Sequence, residues 1–131
     1  MQQSSLRCLI RKKEVPFTPE EEVRQRILIY MVEVLAYPAG LIAVEKTVKF
    51  NSMAKRADII VHDPSGEPWM IVECKRPTEP LNQKTVSQVA MYNHRLQVPF
   101  IMLSNGNENH ILKIDREENS VIRLQSMPSY P

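Results

Sequence analysis

A predicted β-hairpin restricts the possible folds of this chain more than any other feature. Two apolar runs, residues 57–62 and 69–75, flank a turn rich in Asp, Pro, Ser and Gly, which is the pattern of two strands joined by a longer loop. Three ionisable residues lie inside these apolar strands, namely Asp58, Glu73 and Lys75. Charged groups in buried strands are costly unless they are paired or bound to a cation, so these side chains need partners.

The alternation of side chains along a strand groups the three residues. Glu73 and Lys75 share one face of their strand, Cys74 points to the other, and Asp58 can face Glu73 if the two strands pair. Two carboxylates beside an ammonium predict a site for a divalent metal, Mg²⁺ or Mn²⁺, with hard oxygen ligands. Such a site suits phosphodiester hydrolysis, with Lys75 orienting or activating a water. The alternative, a Glu-x-Lys pair on a solvated strand face, is common by chance.

Composition sets broad limits on the class of protein. The chain has 131 residues, of which 43% are hydrophobic and 24% charged, as expected of one globular domain. A net charge of +2 permits a nucleic-acid partner without arguing for one. The two cysteines, Cys8 and Cys74, match no zinc or disulfide spacing. With no signal peptide and no apolar run of the roughly 20 residues that span a bilayer, we expect a cytoplasmic protein without a membrane partner.

The order of elements predicts an α/β fold of the α+β type, in which helices flank a mixed central sheet. A first helix begins after Thr18, with Pro19 at its first position, and ends before Pro38. The later elements are strands at 42–50, 56–62 and 68–75, a helix at 83–97, a strand at 98–103, and a hairpin of 110–115 and 120–124. We expect one domain over residues 1–131, with 1–17 as an N-terminal extension and 126–131 as a loose tail.

The first helix carries three consecutive acids, Glu20, Glu21 and Glu22. Its apolar stripe consists of Val23, Ile27, Tyr30, Met31 and Val34. Glu20 lies in line with this stripe, and Glu21, three residues after Thr18, is expected to complete a capping box. Glu20 is therefore the acid expected to face inward. Its alternative role, an acid that favours the helix dipole, stays open.

Basic and amide side chains flank the predicted site. Lys55 and Arg56 precede Asp58, and Arg76 follows Lys75. They are candidates for phosphate contacts, with surface solvation as the alternative. On the second helix Gln88 and Tyr92 are four residues apart, which makes them neighbours on the helix surface.

These segments together resemble the PD-(D/E)XK nuclease superfamily. Arg56-Ala57-Asp58, followed after the hairpin by Ile71-Val72-Glu73-Cys74-Lys75, is similar to the N-terminal nuclease domain of type I restriction enzyme R subunits and its small stand-alone relatives. Residues 18–25 and 103–106 add to the likeness, and Gln88 to Tyr92 matches a Gln-hydrophobic-x-x-Tyr pattern of one subgroup. Ala57 stands where the superfamily usually has Pro, at a position that binds no metal.

The resemblance implies a restriction-endonuclease-like core in the order αβββαβ, followed by a C-terminal hairpin. It implies a Mg²⁺- or Mn²⁺-dependent DNA endonuclease, with restriction-modification subunits as partners. The implied roles are metal binding by Asp58, Glu73 and the main-chain carbonyl of Cys74; catalysis by Lys75; a further acid from Glu20 or Glu21; and DNA contact or bracing by Gln88 and Tyr92. Cutting both strands of a duplex would favour two active sites and therefore a homodimer or a partner subunit.

Two alternatives remain beside the endonuclease. One is a DNA-binding or assembly subunit with the same fold and little or no cleavage activity. The other is a structural or toxin–antitoxin-like interaction protein without metal chemistry. The chain has no Gly-x-x-x-x-Gly-Lys phosphate loop, so it supplies no ATP-driven motor of its own.

Overall fold

A six-stranded sheet separates two apolar cores, each covered by one helix. The computed structural model describes residues 5–131. Its elements are β1 (Ser5–Cys8), β2 (Lys13–Pro16), α1 (Pro19–Ile29), β3 (Ile42–Phe50), β4 (Met53–His62), β5 (Pro68–Cys74), α2 (Gln83–Leu96), β6 (Phe100–Ser104), β7 (Asn109–Asp115) and β8 (Ser120–Leu124). A π-helical turn, Tyr30–Val34, extends α1, and a 3₁₀ turn, Ala39–Leu41, precedes β3.

The large sheet has the strand order β3-β4-β5-β6-β7-β8. Only β5 and β6 run parallel, and the other neighbours are antiparallel. Parallel strands need a long crossover, which α2 provides here. The predicted mixed sheet, flanked by helices in the order αβββαβ and followed by a hairpin, is confirmed.

The central strands bury both faces. Val72 and Met102 contribute to the core under α1, whereas Ile71 and Ile101 contribute to the core under α2. Adjacent residues on one strand therefore belong to different cores, which follows from the two-residue period of a strand. Burial on both sides explains why β5 and β6 are almost continuously apolar in sequence.

Helix α1 begins where the sequence predicts, since the Thr18 hydroxyl accepts a hydrogen bond from Glu21 N at 3.0 Å. Its predicted stripe is only partly right. Val23, Ile27 and Met31 are buried, whereas 47% of Tyr30 and 64% of Val34 are exposed, because the inward side is centred closer to Leu28 and includes polar residues. The full inward set is Glu21, Val23, Arg24, Gln25, Ile27, Leu28 and Met31.

The segment predicted as an N-terminal extension is part of the folded unit. Strands β1 and β2 form an antiparallel hairpin, and its Cys8 and Val15 are buried in the core under α1. The Gln25 side chain on α1 accepts a hydrogen bond from Leu9 N at 2.9 Å. The hairpin is therefore fixed to the helix by both apolar and polar contacts. Residues 1–4 lie outside the described residues.

The C-terminal tail, predicted to be loose, packs on the sheet instead. Tyr130 lies edge-on to Trp69 with ring centroids 5.5 Å apart, and its hydroxyl donates to His62 O at 2.8 Å. Tyr37 donates to Pro128 O. The aromatic rings supply the apolar area that fixes the tail, which the polar and proline-rich tail sequence alone does not indicate.

Within residues 5–131, no helix combines the length and the apolar character needed to cross a bilayer.

Candidate active site

Asp58 lies where strands β4 and β5 part. The ladder between the two strands ends at the pair Ile59–Val72, one residue before Asp58 and Glu73 would pair. Beyond that point Asp58 Oδ2 accepts a hydrogen bond from Cys74 N at 2.7 Å. The carboxylate thus satisfies a main-chain donor of β5 beyond the end of the ladder, and it is held close to the strand that carries Glu73.

The structure brings the predicted charged residues together around Asp58. Burial raises the pKa of Asp58, and the nearby charge of Glu73 acts in the same direction. The Cys74 hydrogen bond and the charges of Arg24 and Lys75 oppose that rise without cancelling it. The pKa of Asp58 is therefore raised chiefly by burial, and one further carboxylate and two cations at the end of these strands act on it as well.

Glu73 is in contact with a cation. Only 13% of its side chain is exposed, and the Lys55 ammonium contacts Glu73 Oε1. The same ammonium lies over the Tyr92 ring, 5.1 Å from its centroid, and the Tyr92 hydroxyl donates to Ala54 O at 2.7 Å. Tyr92 on α2 thereby braces the lysine that neutralises Glu73.

Lys75 follows β5 directly. Its main-chain N–H donates to Ser104 O on β6 at 2.8 Å, which fixes the backbone at this point. Its ammonium lies 3.9 Å from a carboxylate oxygen of Glu79, and 35% of the side chain is exposed. The head group is thus held only weakly.

The Cys74 thiol lies on the opposite face of β5 from the Glu73 side chain. It is buried in the core under α1, and burial raises its pKa well above the usual value. A thiol that stays protonated is a poor metal ligand. Any metal contact from Cys74 would therefore come from its main-chain oxygen, as the sequence resemblance implies.

The acids of α1 have different environments. Glu20 has a side chain that is 41% exposed and pairs with Arg76 at 2.8 Å, next in sequence to Lys75. Glu21 is buried and accepts hydrogen bonds from Arg24, Gln25 and Arg11. The predicted inward side of Glu20 is therefore occupied by Glu21 instead. Glu20 is exposed beside Arg76, whereas Glu21 is enclosed by Arg11, Arg24 and Gln25.

The predicted capping box at Glu21 is half right. Its main-chain N–H is capped by Thr18, but its carboxylate binds Arg24 rather than returning to the cap. Burial opposes ionisation of Glu21, but the hydrogen bonds from Arg24 and Gln25 outweigh burial and lower its pKa to about 2. Glu21 is consequently a fixed anion with no capacity left for another ligand.

The predicted DNA-contacting residues differ in their exposure. The Arg56 side chain is 68% exposed and pairs with Glu45 at 3.3 Å. The Arg76 side chain is 56% exposed. Gln88 is exposed one helical turn before Tyr92 on α2. Arg56, Arg76 and Gln88 are accessible to a large ligand, whereas Lys55 is engaged with Glu73.

Sequence reasoning missed the parts played by Arg24 and Glu45. Arg24 is buried, binds Glu21 through two nitrogens, and reaches Glu45 Oε1 at 3.1 Å. Glu45 is 39% exposed in its side chain but pairs with Arg11, Arg24 and Arg56. The i, i+3 spacing of Glu21 and Arg24 was the available signal, and it went unused because only apolar residues defined the buried stripe.

The sequence matches a family model over residues 19–128, which is most of the chain. The family is described as "Type I restriction enzyme R protein N terminus (HSDR_N)". The chain belongs to this family. The match extends from the start of α1 to the C-terminal tail, so it includes every element that contributes to the carboxylate group.

Two solved structures share the fold of this HSDR_N member. A candidate nuclease belonging to DUF820 from Anabaena variabilis ATCC 29413 is 13% identical, with a TM-score of 0.55 over 88% of this chain and 74% of that one. A fragment of a candidate HsdR subunit of a type I restriction enzyme from Vibrio vulnificus YJ016 is 21% identical, with a TM-score of 0.57 over 84% of this chain and 23% of that one. At these identities the likeness shows the fold alone. No curated protein matches the sequence significantly.

The donor set of this HSDR_N domain fits a hard divalent cation. Among residues 5–131, no three His, Cys, Asp or Glu side chains converge as a ligand set, so the candidate ligands are two carboxylates and a main-chain oxygen. Mg²⁺ retains several waters and is usually bound through one or two carboxylates. These residues are therefore compatible with Mg²⁺ or Mn²⁺.

Proposed function

We propose that this HSDR_N domain is a metal-dependent DNA endonuclease. One observation carries the proposal: Asp58, Glu73 and Lys75 lie together at the end of the β4–β5 hairpin, and Asp58 is hydrogen-bonded to the strand that bears the other two. Membership of the type I R-subunit family supports the same reading. Burial, with the nearby charge of Glu73 acting in the same direction, raises the pKa of Asp58, and a perturbed carboxyl beside a second carboxylate and a lysine is typical of a functional site.

Asp58 and Glu73 would hold Mg²⁺ or Mn²⁺ together with the main-chain oxygen of Cys74. When bound, the cation would lower the pKa of a water and offset the charge that develops on the phosphate. Lys75, as a flexible point charge at the same place, would orient the attacking water and stabilise that charge. Glu20, which is exposed and pairs with Arg76, is the acid of α1 that would join the site. The carboxylate oxygens of Glu21 are already occupied by hydrogen bonds.

DNA would approach the exposed side chains of Arg56, Arg76 and Gln88, which we call the DNA-contacting rim. Arg56 and Arg76 are each paired with a glutamate, and phosphate oxygens are suited to replace those carboxylates. Gln88 and Tyr92 would contact the nucleic acid or brace Lys55. We include restriction-modification subunits as partners, and a homodimer for cleavage of both strands. The chain spans 23% of the HsdR subunit to which it is similar, so other activities of such a subunit would reside elsewhere.

Conversion of a supercoiled plasmid to nicked and linear forms tests the proposal. We expect cleavage with Mg²⁺ or Mn²⁺, none with a chelator, and a loss of at least 100-fold in Glu73→Gln and Lys75→Met. Glu117→Gln is the matched control, because it removes an exposed carboxylate from the turn at the far end of β7. Equal cleavage by Glu73→Gln and the parent would refute the assignment.

A second candidate function is DNA binding without cleavage, as in an assembly subunit. The contact between Lys55 and Glu73 favours it, because an ammonium on that carboxylate competes with a metal. The position of Lys75 near Glu79 favours it as well.

Lys55→Gln separates the two functions. For the endonuclease, removal of the competing ammonium should tighten Mn²⁺ binding while duplex binding weakens. For a DNA-binding subunit, duplex affinity should fall and neither the parent nor the variant should take up Mn²⁺. Calorimetric titration with Mn²⁺ and a fluorescence binding assay with a labelled duplex give the two readouts.

A further inference from the structure

We propose that Arg24 is a positioning residue that fixes the orientation of Asp58 and thereby sets the metal affinity of the site. The inference rests on the proposed function, because it concerns the same carboxylate. It assigns a role to Arg24 of α1, which is not itself a candidate metal ligand. The sequence pattern did not single this residue out.

The guanidinium of Arg24 is held by three hydrogen bonds to two glutamates. Its Nε and Nη2 atoms donate to the two oxygens of Glu21 at 2.9 and 2.6 Å, and Nη2 also donates to Glu45 Oε1 at 3.1 Å. Only 9% of the side chain is exposed. A planar group with this many charge-assisted bonds has little freedom to turn.

The remaining nitrogen is directed at the candidate ligand. Arg24 Nη1 is buried and has no hydrogen-bond partner among residues 5–131, and it lies 3.9 Å from Asp58 Oδ1. Asp58 Oδ2 is already fixed by Cys74 N at 2.7 Å. One oxygen of the carboxylate is thus held by the main chain and the other faces a fixed cation, which restricts rotation of the group.

The backbone of β3 opposite Asp58 departs from regular strand geometry at Glu45, the residue that contacts Arg24. Glu45 adopts a φ of +54°, in the left-handed region that non-glycine residues rarely occupy. The pairing of β3 with β4 skips Glu45 and Asp58, while the neighbouring pairs Val44–Ile59 and Lys46–Ala57 are intact. This local break allows the Glu45 side chain to reach Arg24. Strain of this kind persists only where surrounding contacts fix it.

The two glutamates also limit the effect of Arg24 on a metal. A lone arginine beside a metal ligand would repel the cation. Glu21 and Glu45 share the charge of Arg24, so the guanidinium orients Asp58 without leaving an uncompensated positive charge beside it. This balance explains why a buried arginine is compatible with a cation site.

A matched pair of variants tests the role. Glu21→Gln loses the ion pair with Arg24 but keeps Arg24 beside Asp58, whereas Glu21→Gln/Arg24→Gln loses the arginine as well. Calorimetric titration with Mn²⁺ should give a higher Kd for Glu21→Gln than for the parent, because Arg24 loses a fixing contact and its charge is then shared by Glu45 alone. The double variant should bind about 10–100-fold more weakly than Glu21→Gln, the range for loss of a partner of a metal ligand.

Cleavage provides a readout that a purely structural role would not move. With the double variant, raising Mn²⁺ should restore cleavage toward the parent rate, because the residues that act on DNA are intact. If that variant does not fold, as judged by circular dichroism, Arg24→Lys carries the test. It keeps the charge but has fewer donors, so we expect at least threefold weaker Mn²⁺ binding.

The outcomes distinguish this inference from the proposed function. If the parent binds Mn²⁺ and the folded double variant binds it as tightly as Glu21→Gln, Arg24 has no positioning role and the endonuclease proposal is untouched. Unchanged Mn²⁺ binding in a folded Arg24→Lys would contradict the role equally. If the parent binds no Mn²⁺, with or without a short duplex, both the proposed function and this inference fail.

Discussion

Asp58 Oδ2 accepts a hydrogen bond from Cys74 N at 2.7 Å, so one candidate metal ligand is held by the backbone beside the other, Glu73. The contact does not offset the cost of burial, because the pKa of Asp58 is still raised. A carboxyl whose pKa is higher in the folded state than in the unfolded state destabilises the fold above that folded pKa. The site is therefore maintained at some expense of stability.

Asp58→Asn should make the protein more stable at pH 7. The amide oxygen can still accept from Cys74, and the penalty for charging a carboxyl that is only 39% exposed is removed. As the pH falls through the folded pKa of Asp58, the stability of the parent should rise relative to that of the variant, because protonation of Asp58 removes the same penalty. Urea denaturation at pH 7 and pH 4 measures both free energies of unfolding. A variant clearly less stable than the parent at pH 7 would show that the charge is stabilising.

Glu21 should contribute to acid denaturation in the opposite sense. Its pKa is lowered from 4.5 to about 2 by its partners, chiefly Arg24. Its contribution is fully present above the unfolded pKa and is lost as the pH falls from about 4.5 toward 2. At about 1.4 kcal/mol per pKa unit, the loss is on the order of 3 kcal/mol.

Denaturation of the parent and Glu21→Gln at pH 7, 4 and 2.5 measures that loss. We expect the stability difference between the two proteins to shrink steadily as the pH falls. A difference that stays constant over this range would mean that Glu21 titrates normally.

The sequence predicted the sheet well because its signals are local. The two apolar runs within residues 57–75, the cap at Thr18 and the helix predicted at 83–97 each depend on neighbours in the chain, and all correspond to observed elements. The N-terminal hairpin and the docked tail were misjudged, because their order comes from contacts with distant partners such as Gln25 and Trp69.

The candidate site, too, was predictable only where it depends on local signals in the sequence. Asp58 and Glu73 lie on the two strands of the hairpin and Lys75 directly follows the second strand, so their proximity could be predicted from the hairpin. The link from Arg24 to Asp58 was not, because it joins a helix to a strand 34 positions later and depends on the left-handed backbone at Glu45. Polar residues on an inward helix face give no signal in an apolar pattern.

Gln88 and Tyr92 should differ in their effects on stability. Tyr92→Phe removes the hydrogen bond to Ala54 O but keeps the ring beside Lys55, so we expect a loss of about 1 kcal/mol in the free energy of unfolding. Gln88→Ala changes an exposed side chain and should leave stability within about 0.5 kcal/mol, while it weakens duplex binding. Thermal denaturation and a duplex titration provide the measurements. Unchanged duplex binding in Gln88→Ala would remove Gln88 from the DNA-contacting rim.

The docked tail should contribute measurably to folding. Tyr130→Ala removes a ring that packs on Tyr37 and Trp69 and a hydrogen bond to His62 O. We expect a loss of about 2–3 kcal/mol and a red shift in the emission of Trp69, the single tryptophan of the chain. Tyr130→Phe is the control and should lose about 1 kcal/mol with little spectral change. Emission unaffected by Tyr130→Ala would indicate that the tail does not cover Trp69.

Calorimetric titration of Mn²⁺ into the parent protein, Asp58→Asn and Glu117→Gln, with and without a short duplex, tests the central claim most directly. The claim is that Asp58 and Glu73 hold a divalent cation. The predicted result is saturable binding near one ion per chain in the parent and in Glu117→Gln, and none in Asp58→Asn. Equal binding by the parent and Asp58→Asn, or no binding by the parent under either condition, would contradict the account.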